Sequence, residues 1–109
     1  MKRALDSILK RFLQGLEDLD LRDKIEKIYL FGSRAKGTER PDSDYDLLIV
    51  APSPDKSFRK KIYDVVVDIL LEHQRVVSLK IFKTEEYKRL CRMGTPFMRN
   101  VLKEGIRIG

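Results

Sequence analysis

The chain has 109 residues, 42% hydrophobic and 37% charged, with a formal net charge of +6. That size and composition fit one small domain over residues 1–109 and exclude collagen-like, low-complexity and disulfide-scaffold classes. No apolar run approaches the ~20 residues that cross a bilayer, and the opening segment carries Asp6, Glu17 and Asp18 in place of an apolar signal core. A cytoplasmic protein with no membrane association is expected. Cys91 is the single cysteine, which excludes an intrachain disulfide and any cysteine-built metal site and reads as a small buried apolar side chain.

Leu5, Ile8, Leu9, Phe12, Leu13, Leu16 and Leu19 recur at helical spacing, predicting an amphipathic helix over about residues 3–19. Ile25, Ile28, Tyr29, Leu30 and Phe31 form a short β-rich run that stops at Gly32. A polar segment from Ser33 to Ser43 follows. Asp44 to Val50 reads as the next strand, ended by Ala51-Pro52-Ser53-Pro54, which suits neither a strand interior nor a helix interior. Phe58, Ile62, Val65, Val66, Ile69 and Leu70 predict a second helix from about Asp55 to His73. Val76 to Phe82 reads as a third strand, and Thr84-Glu85-Glu86 as a helix start with Thr84 as N-cap. Gly94-Thr95-Pro96 breaks that helix. Thr95 caps a last one running to about Lys103, closed by Gly105, with Ile106 and Ile108 as a short edge strand. The expected class is α/β (α+β), a small mixed β-sheet flanked by helices.

The chemistry concentrates in Phe31-Gly32-Ser33-Arg34-Ala35-Lys36-Gly37 and Pro41-Asp42-Ser43-Asp44-Tyr45-Asp46-Leu47. An apolar strand running into Gly32 lets the backbone turn tightly, and Ser33 starts a helical turn. Amides at such a turn, with the Ser33 hydroxyl, make a phosphate site, near which Arg34 and Lys36 add positive charge. Asp44 and Asp46 are two apart, so on a strand they share one face. Like charges so close repel, and a bound cation relieves them; carboxylate oxygens suit Mg²⁺, whose remaining positions commonly go to substrate phosphates. Either half alone reads more simply as an ordinary turn or a solvated strand end. Their combination points to a nucleotide and a metal.

Gly32-Ser33 followed by Asp44-x-Asp46-Leu47 resembles the DNA polymerase β-like nucleotidyltransferase superfamily, and more closely its minimal (MNT-type) members in prokaryotes. The wording Gly-Ser-Arg-Ala-x-Gly and Ser-Asp-x-Asp-Leu carries the resemblance, and coarse agreement extends to the tail from Phe97 to Gly105. The resemblance implies a polymerase β-like nucleotidyltransferase fold and transfer of a nucleoside monophosphate from an NTP, ATP above all, to a hydroxyl with release of pyrophosphate. It implies Asp44 and Asp46 as catalytic residues holding Mg²⁺, and Gly32, Ser33 and Arg34 at the phosphates. Many minimal members accompany a HEPN-type toxin, and some neutralise it as antitoxins by AMP transfer onto a toxin tyrosine.

One departure stands out. Active members use a third carboxylate from a neighbouring strand, and placing Thr84-Glu85-Glu86-Tyr87 on the family's helix puts Ser78 at that position, with Lys80 on the same face. Asp68 and Glu72 lie nearby in sequence, on the polar side of the second helix. A catalytically degenerate member, acting by nucleotide or protein binding only, is therefore the alternative.

The remaining features say less. Residues 76–109 carry eight basic against three acidic side chains, which favours an anionic partner without choosing between nucleotide, RNA and acidic protein. Tyr29, Tyr45, Tyr63 and Tyr87 are scattered and do not form a base-stacking platform, which speaks against a dedicated nucleic-acid module. His73, the sole histidine, sits at a helix end. Apolar surface on the first helix is expected to meet a second copy, making a homo-oligomer, or the toxin. One Asn and two Gln beside abundant Lys, Arg and Glu suit a thermophilic source.

Overall fold

The computed structural model describes residues 5–109. Its elements are α1 (Ser7–Asp18), a 3₁₀ turn (Arg22–Lys24), β1 (Lys27–Phe31), α2 (Ser33–Lys36), β2 (Tyr45–Ala51), α3 (Lys56–His73), β3 (Val77–Lys83), α4 (Thr84–Met93), α5 (Pro96–Glu104) and β4 (Ile106–Arg107). The strands form one mixed sheet in the order β3-β2-β1-β4. β1 runs antiparallel to both β2 and β4, whereas β2 and β3 run parallel with α3 between them in sequence. The expected mixed sheet with flanking helices is the observed fold.

Strand parity divides the molecule. Tyr45, Leu47, Ile49 and Ala51 of β2, with Ile28 and Leu30 of β1 and Val77 of β3, pack against Ile8, Leu9, Phe12 and Leu16 of α1 and Phe58, Ile62, Val65 and Ile69 of α3. The alternate residues, Leu48 and Val50, face the other way and meet Tyr87 of α4 and Met98 and Val101 of α5. Helices α1 and α3 approach closely at Gly15, where a Cβ would stand 2.6 Å from Val65 Cγ1. Arg11 ties the same two helices at the surface, donating to both carboxylate oxygens of Glu72 at 3.0 and 3.1 Å.

Helix ends follow ordinary capping chemistry with one exception. The carboxylates of Asp6 and Asp55 accept from the amides of Leu9 and Phe58 at 2.9 and 2.8 Å, and the Thr95 hydroxyl accepts from Met98 at 3.3 Å with Pro96 opening α5. The exception is Thr84, expected as an N-cap. Lys83 takes that position, its amide donating to Glu86 Oε1 at 3.0 Å, while the Thr84 hydroxyl donates to Glu26, 58 residues away, at 2.8 Å. The first helix is also shorter than its pattern: residues 1–4 lie outside the described residues and Leu5 precedes the Asp6 cap.

α1 leaves less apolar surface over than its pattern suggests. Ile8, Leu9, Phe12 and Leu16 are all buried and Leu19, the helix's C-cap, is exposed, while the largest group of exposed apolar side chains among the described residues lies on α3, at Tyr63, Val67, Leu70 and Leu71. Cys91 is half-buried in α4. Among the described residues, no helix is long and apolar enough to cross a membrane.

Candidate functional site

The two halves of the motif meet at one end of the sheet. β1 ends at Phe31, which pairs with Asp46 of β2. Gly32 then turns the chain with φ of +74°, in the left-handed region that glycine alone enters without strain, and α2 begins at Ser33. Gly32 lies so close to Asp46 that a Cβ there would collide with Asp46 Oδ2. The glycine therefore serves both the turn and the approach of its backbone to the carboxylate.

Asp46 is half-buried and Asp44, just before β2, is exposed. Loss of solvent raises the Asp46 carboxyl above the usual carboxylate range, the neighbouring Asp44 charge raises it further, and Lys80 opposes both. Two carboxylates arranged like this suit a hard divalent cation, because Mg²⁺ needs only one or two protein carboxylates when phosphate and water fill its other positions. No third His, Cys, Asp or Glu joins them among the described residues.

The reason is visible in the register. β3 pairs with β2 so that Asp46 lies opposite Ser78 and Leu48 opposite Lys80. Ser78 thus occupies the neighbouring-strand position that alignment on the Glu85-Glu86-Tyr87 helix assigns to it. Asp68 and Glu72 offer no substitute: both belong to α3, on the opposite side of the sheet, where Arg11 lies 3.0 Å from Glu72 and 4.0 Å from Asp68.

Arg34 is held by the loop that joins the two halves of the motif. Its Nε and Nη2 donate to the Ser43 carbonyl at 3.0 and 2.8 Å, and the guanidinium stacks 3.8 Å above the Tyr45 ring. Tyr45 points to the α1 side of β2, away from Asp46, and its hydroxyl donates to Asp6 at 2.6 Å. Arg34 therefore braces the loop between the two halves of the motif. Lys36 is drawn aside as well, 3.6 Å from Glu104.

Residues without an expected role complete the surroundings. Phe97 of α5 meets Phe31 edge-on at 5.4 Å, and both line a cavity of about 180 Å³ with Gly32, Lys36, Asn100 and Glu104. Parity was the available signal, since Phe31 directly precedes Gly32 and shares a sheet face with Asp46. A tight glycine turn opening a helical turn, two carboxylates and an aromatic-walled cavity together can receive a phosphate chain, a divalent cation and a flat ring.

Comparison with known proteins identifies the family. The nucleotidyltransferase domain family matches residues 9–108, and the chain belongs to that family. A Methanocaldococcus jannaschii protein named "Putative protein adenylyltransferase MJ0604" is 33% identical over 100 residues, covering 92% of this chain and 93% of that one. A second protein from the same organism, "Putative protein adenylyltransferase MJ0141", is 32% identical over 77 residues, covering 70% and 77%. Among solved structures, a chain from a mutant MntA–HpeT toxin–antitoxin crystal superposes with a TM-score of 0.59 at 21% identity, over 97% of this chain and 73% of that one. A toxin–antitoxin structure with AMP-PNP gives 0.54 at 20% identity, over 90% and 69%. At such identities the structural likeness establishes a shared fold.

Proposed function

We propose that this chain transfers AMP from ATP to a hydroxyl of a partner protein, and that the partner is a HEPN-type toxin which the chain neutralises as a cytoplasmic antitoxin. The observation that carries the reading is the packing of the Gly32 turn directly against Asp46, which supports a phosphate site at that turn beside the Asp44–Asp46 pair. The names of the relatives support protein adenylylation, and the toxin–antitoxin neighbours support the partner.

In this reading Asp44 and Asp46 hold Mg²⁺, and the amides after Gly32 with the Ser33 hydroxyl hold the phosphates. Bound Mg²⁺ offsets the charge that develops on the α-phosphoryl group and the departing pyrophosphate. The acceptor oxygen bonds to the α-phosphorus as the bond to the bridging oxygen breaks. Ser78 is no general base at neutral pH, so the acceptor's proton passes to a group on the partner protein. Catalysis by this chain then rests on positioning and charge neutralisation.

The test is calorimetric titration with ATP, with and without Mg²⁺, on the natural chain and on Asp44→Asn/Asp46→Asn, followed by transfer of labelled AMP to the partner toxin. Mg²⁺-dependent binding and transfer are expected, each falling at least about 100-fold in the double variant while the fold persists. Unchanged transfer in that variant sinks the assignment. The Asp46–Ser78 pairing favours one second reading, a protein that binds nucleotide or toxin without turnover. Toxin neutralisation that survives the double substitution selects it.

A further inference from the structure

The carboxylate pair has a neighbour of opposite sign on the adjacent strand. Lys80 follows Ser78 by two residues, so it shares the sheet face of Asp46. β3 is an edge strand, and the Lys80 side chain is exposed. Its ammonium stands 5.9 Å from the centre of the Phe97 ring. Phe97 in turn packs on Phe31, which pairs with Asp46 from the other side. Lys80 and the two aromatic rings therefore flank the Asp46 end of the sheet on its open face.

Charge counting gives this placement a meaning. Many phosphoryl-transfer sites hold two divalent cations, and three carboxylates with two such cations present one net positive charge to a triphosphate. Two carboxylates, one divalent cation and one ammonium present the same. A lysine ammonium is a compact, mobile point charge that binds phosphate oxygens without demanding fixed geometry. Ser78 withholds the ligand that a second cation would need, and Lys80 sits one step further along the same face.

Resting on the nucleotide reading above, we propose that Lys80 is a phosphate-binding residue that stands in for a second metal ion, so that the site takes a single divalent cation per chain. Lys80 contacts the phosphate chain directly and holds it before any metal arrives. The natural chain therefore retains measurable ATP affinity in EDTA, and that residual affinity belongs to Lys80.

Two measurements test this. In EDTA, Lys80→Gln and Lys80→Met should each weaken ATP binding at least tenfold, whereas Lys80→Arg should stay within about threefold, as expected for an exposed charge that the fold does not need. Mn²⁺ counted by electron paramagnetic resonance with a non-hydrolysable ATP analogue should give one ion per chain in the natural protein, and two in Ser78→Asp/Lys80→Ser. Two ions on the natural chain, or EDTA affinities within twofold for Lys80→Gln and Lys80→Met, overturn the proposal and leave the nucleotide reading standing. Absence of any binding of the analogue with Mn²⁺ overturns both.

Discussion

The two faces of the sheet are built from the same strands and do opposite work. Toward α1 and α3, Phe12, Leu16, Leu47, Ile49, Ile62 and Ile69 are each wholly withdrawn from solvent. Toward α4 and α5 the apolar packing of Leu48, Val50, Met98 and Val101 stops short of the strand end, and Asp46, Ser78 and Lys80 take over. A strand carries both programmes because its side chains alternate: in β2, Tyr45 is buried at the closed face while Asp44 and Asp46 on either side of it serve the open one. Stability and chemistry are thus separated by one residue of parity, and each can be perturbed with limited effect on the other.

The hardest strain on that separation is a cavity in the closed face. Phe12→Ala should destabilise the protein by about 3–5 kcal/mol, because the ring is fully buried between helix and sheet. Thermal unfolding will show this as a large fall in Tm. Titration with Mg²⁺ and ATP at a temperature where the variant remains folded should return nearly the natural affinity. A tenfold loss there would show that the closed face shapes the site as well as supporting it.

Tyr45 sharpens the comparison from the boundary between the faces. Burial, and then the hydrogen bond to Asp6, push its hydroxyl from the ordinary 10.0 up to about 12. A folded-state value above the unfolded one means the protonated hydroxyl is favoured in the native state. The associated stability is whole below pH about 10 and drains away as pH rises through about 12. Tyr45→Phe should cost about 1–2 kcal/mol at neutral pH and lose less than the natural chain on alkaline titration, which thermal unfolding between pH 8 and about 11 will measure. A part of the loss will remain, since burial also pushes Tyr87 upward. Identical alkaline slopes in the two proteins would place the Tyr45 hydroxyl outside the cooperative fold.

Much of this was legible in the residues. Apolar spacing located the long helices, and Gly32-Ser33 with Asp44-x-Asp46 located the site, because short-range patterns of turn and strand fix which side chains share a face. Aligning the helix after β3 put Ser78 at the family's third-carboxylate position, and the sheet register sets it opposite Asp46. What sequence could not supply were long-range choices. That the Tyr45 ring and the Ser43 carbonyl hold the Arg34 guanidinium, from nine to eleven residues away, is written in no local spacing. Thr84 looked like a cap until Glu26 took its hydroxyl. The role of Phe97 depends on α5 lying across the end of β1, and no local pattern records that.

The smallest effect comes from the open face itself. Asp46 is held above the usual carboxylate range by burial and by Asp44, so its ionised form is disfavoured in the native state. The linkage then runs opposite to that of a salt-bridged carboxylate: the fold is most favoured while Asp46 is protonated and loses that margin as pH rises through the raised value. At neutral pH the natural chain carries this penalty. Asp46→Asn, which keeps the shape and removes the charge, should raise Tm by about 1–3 °C in metal-free buffer, a modest gain because solvent screens the exposed Asp44. Mg²⁺ with ATP should stabilise the natural chain and leave Asp46→Asn nearly unmoved. A lower Tm for the apo variant would mean that the carboxylate makes stabilising contacts outweighing the repulsion. A higher one would show that the site retains a destabilising charge pair because ligand binding, and not folding, requires it.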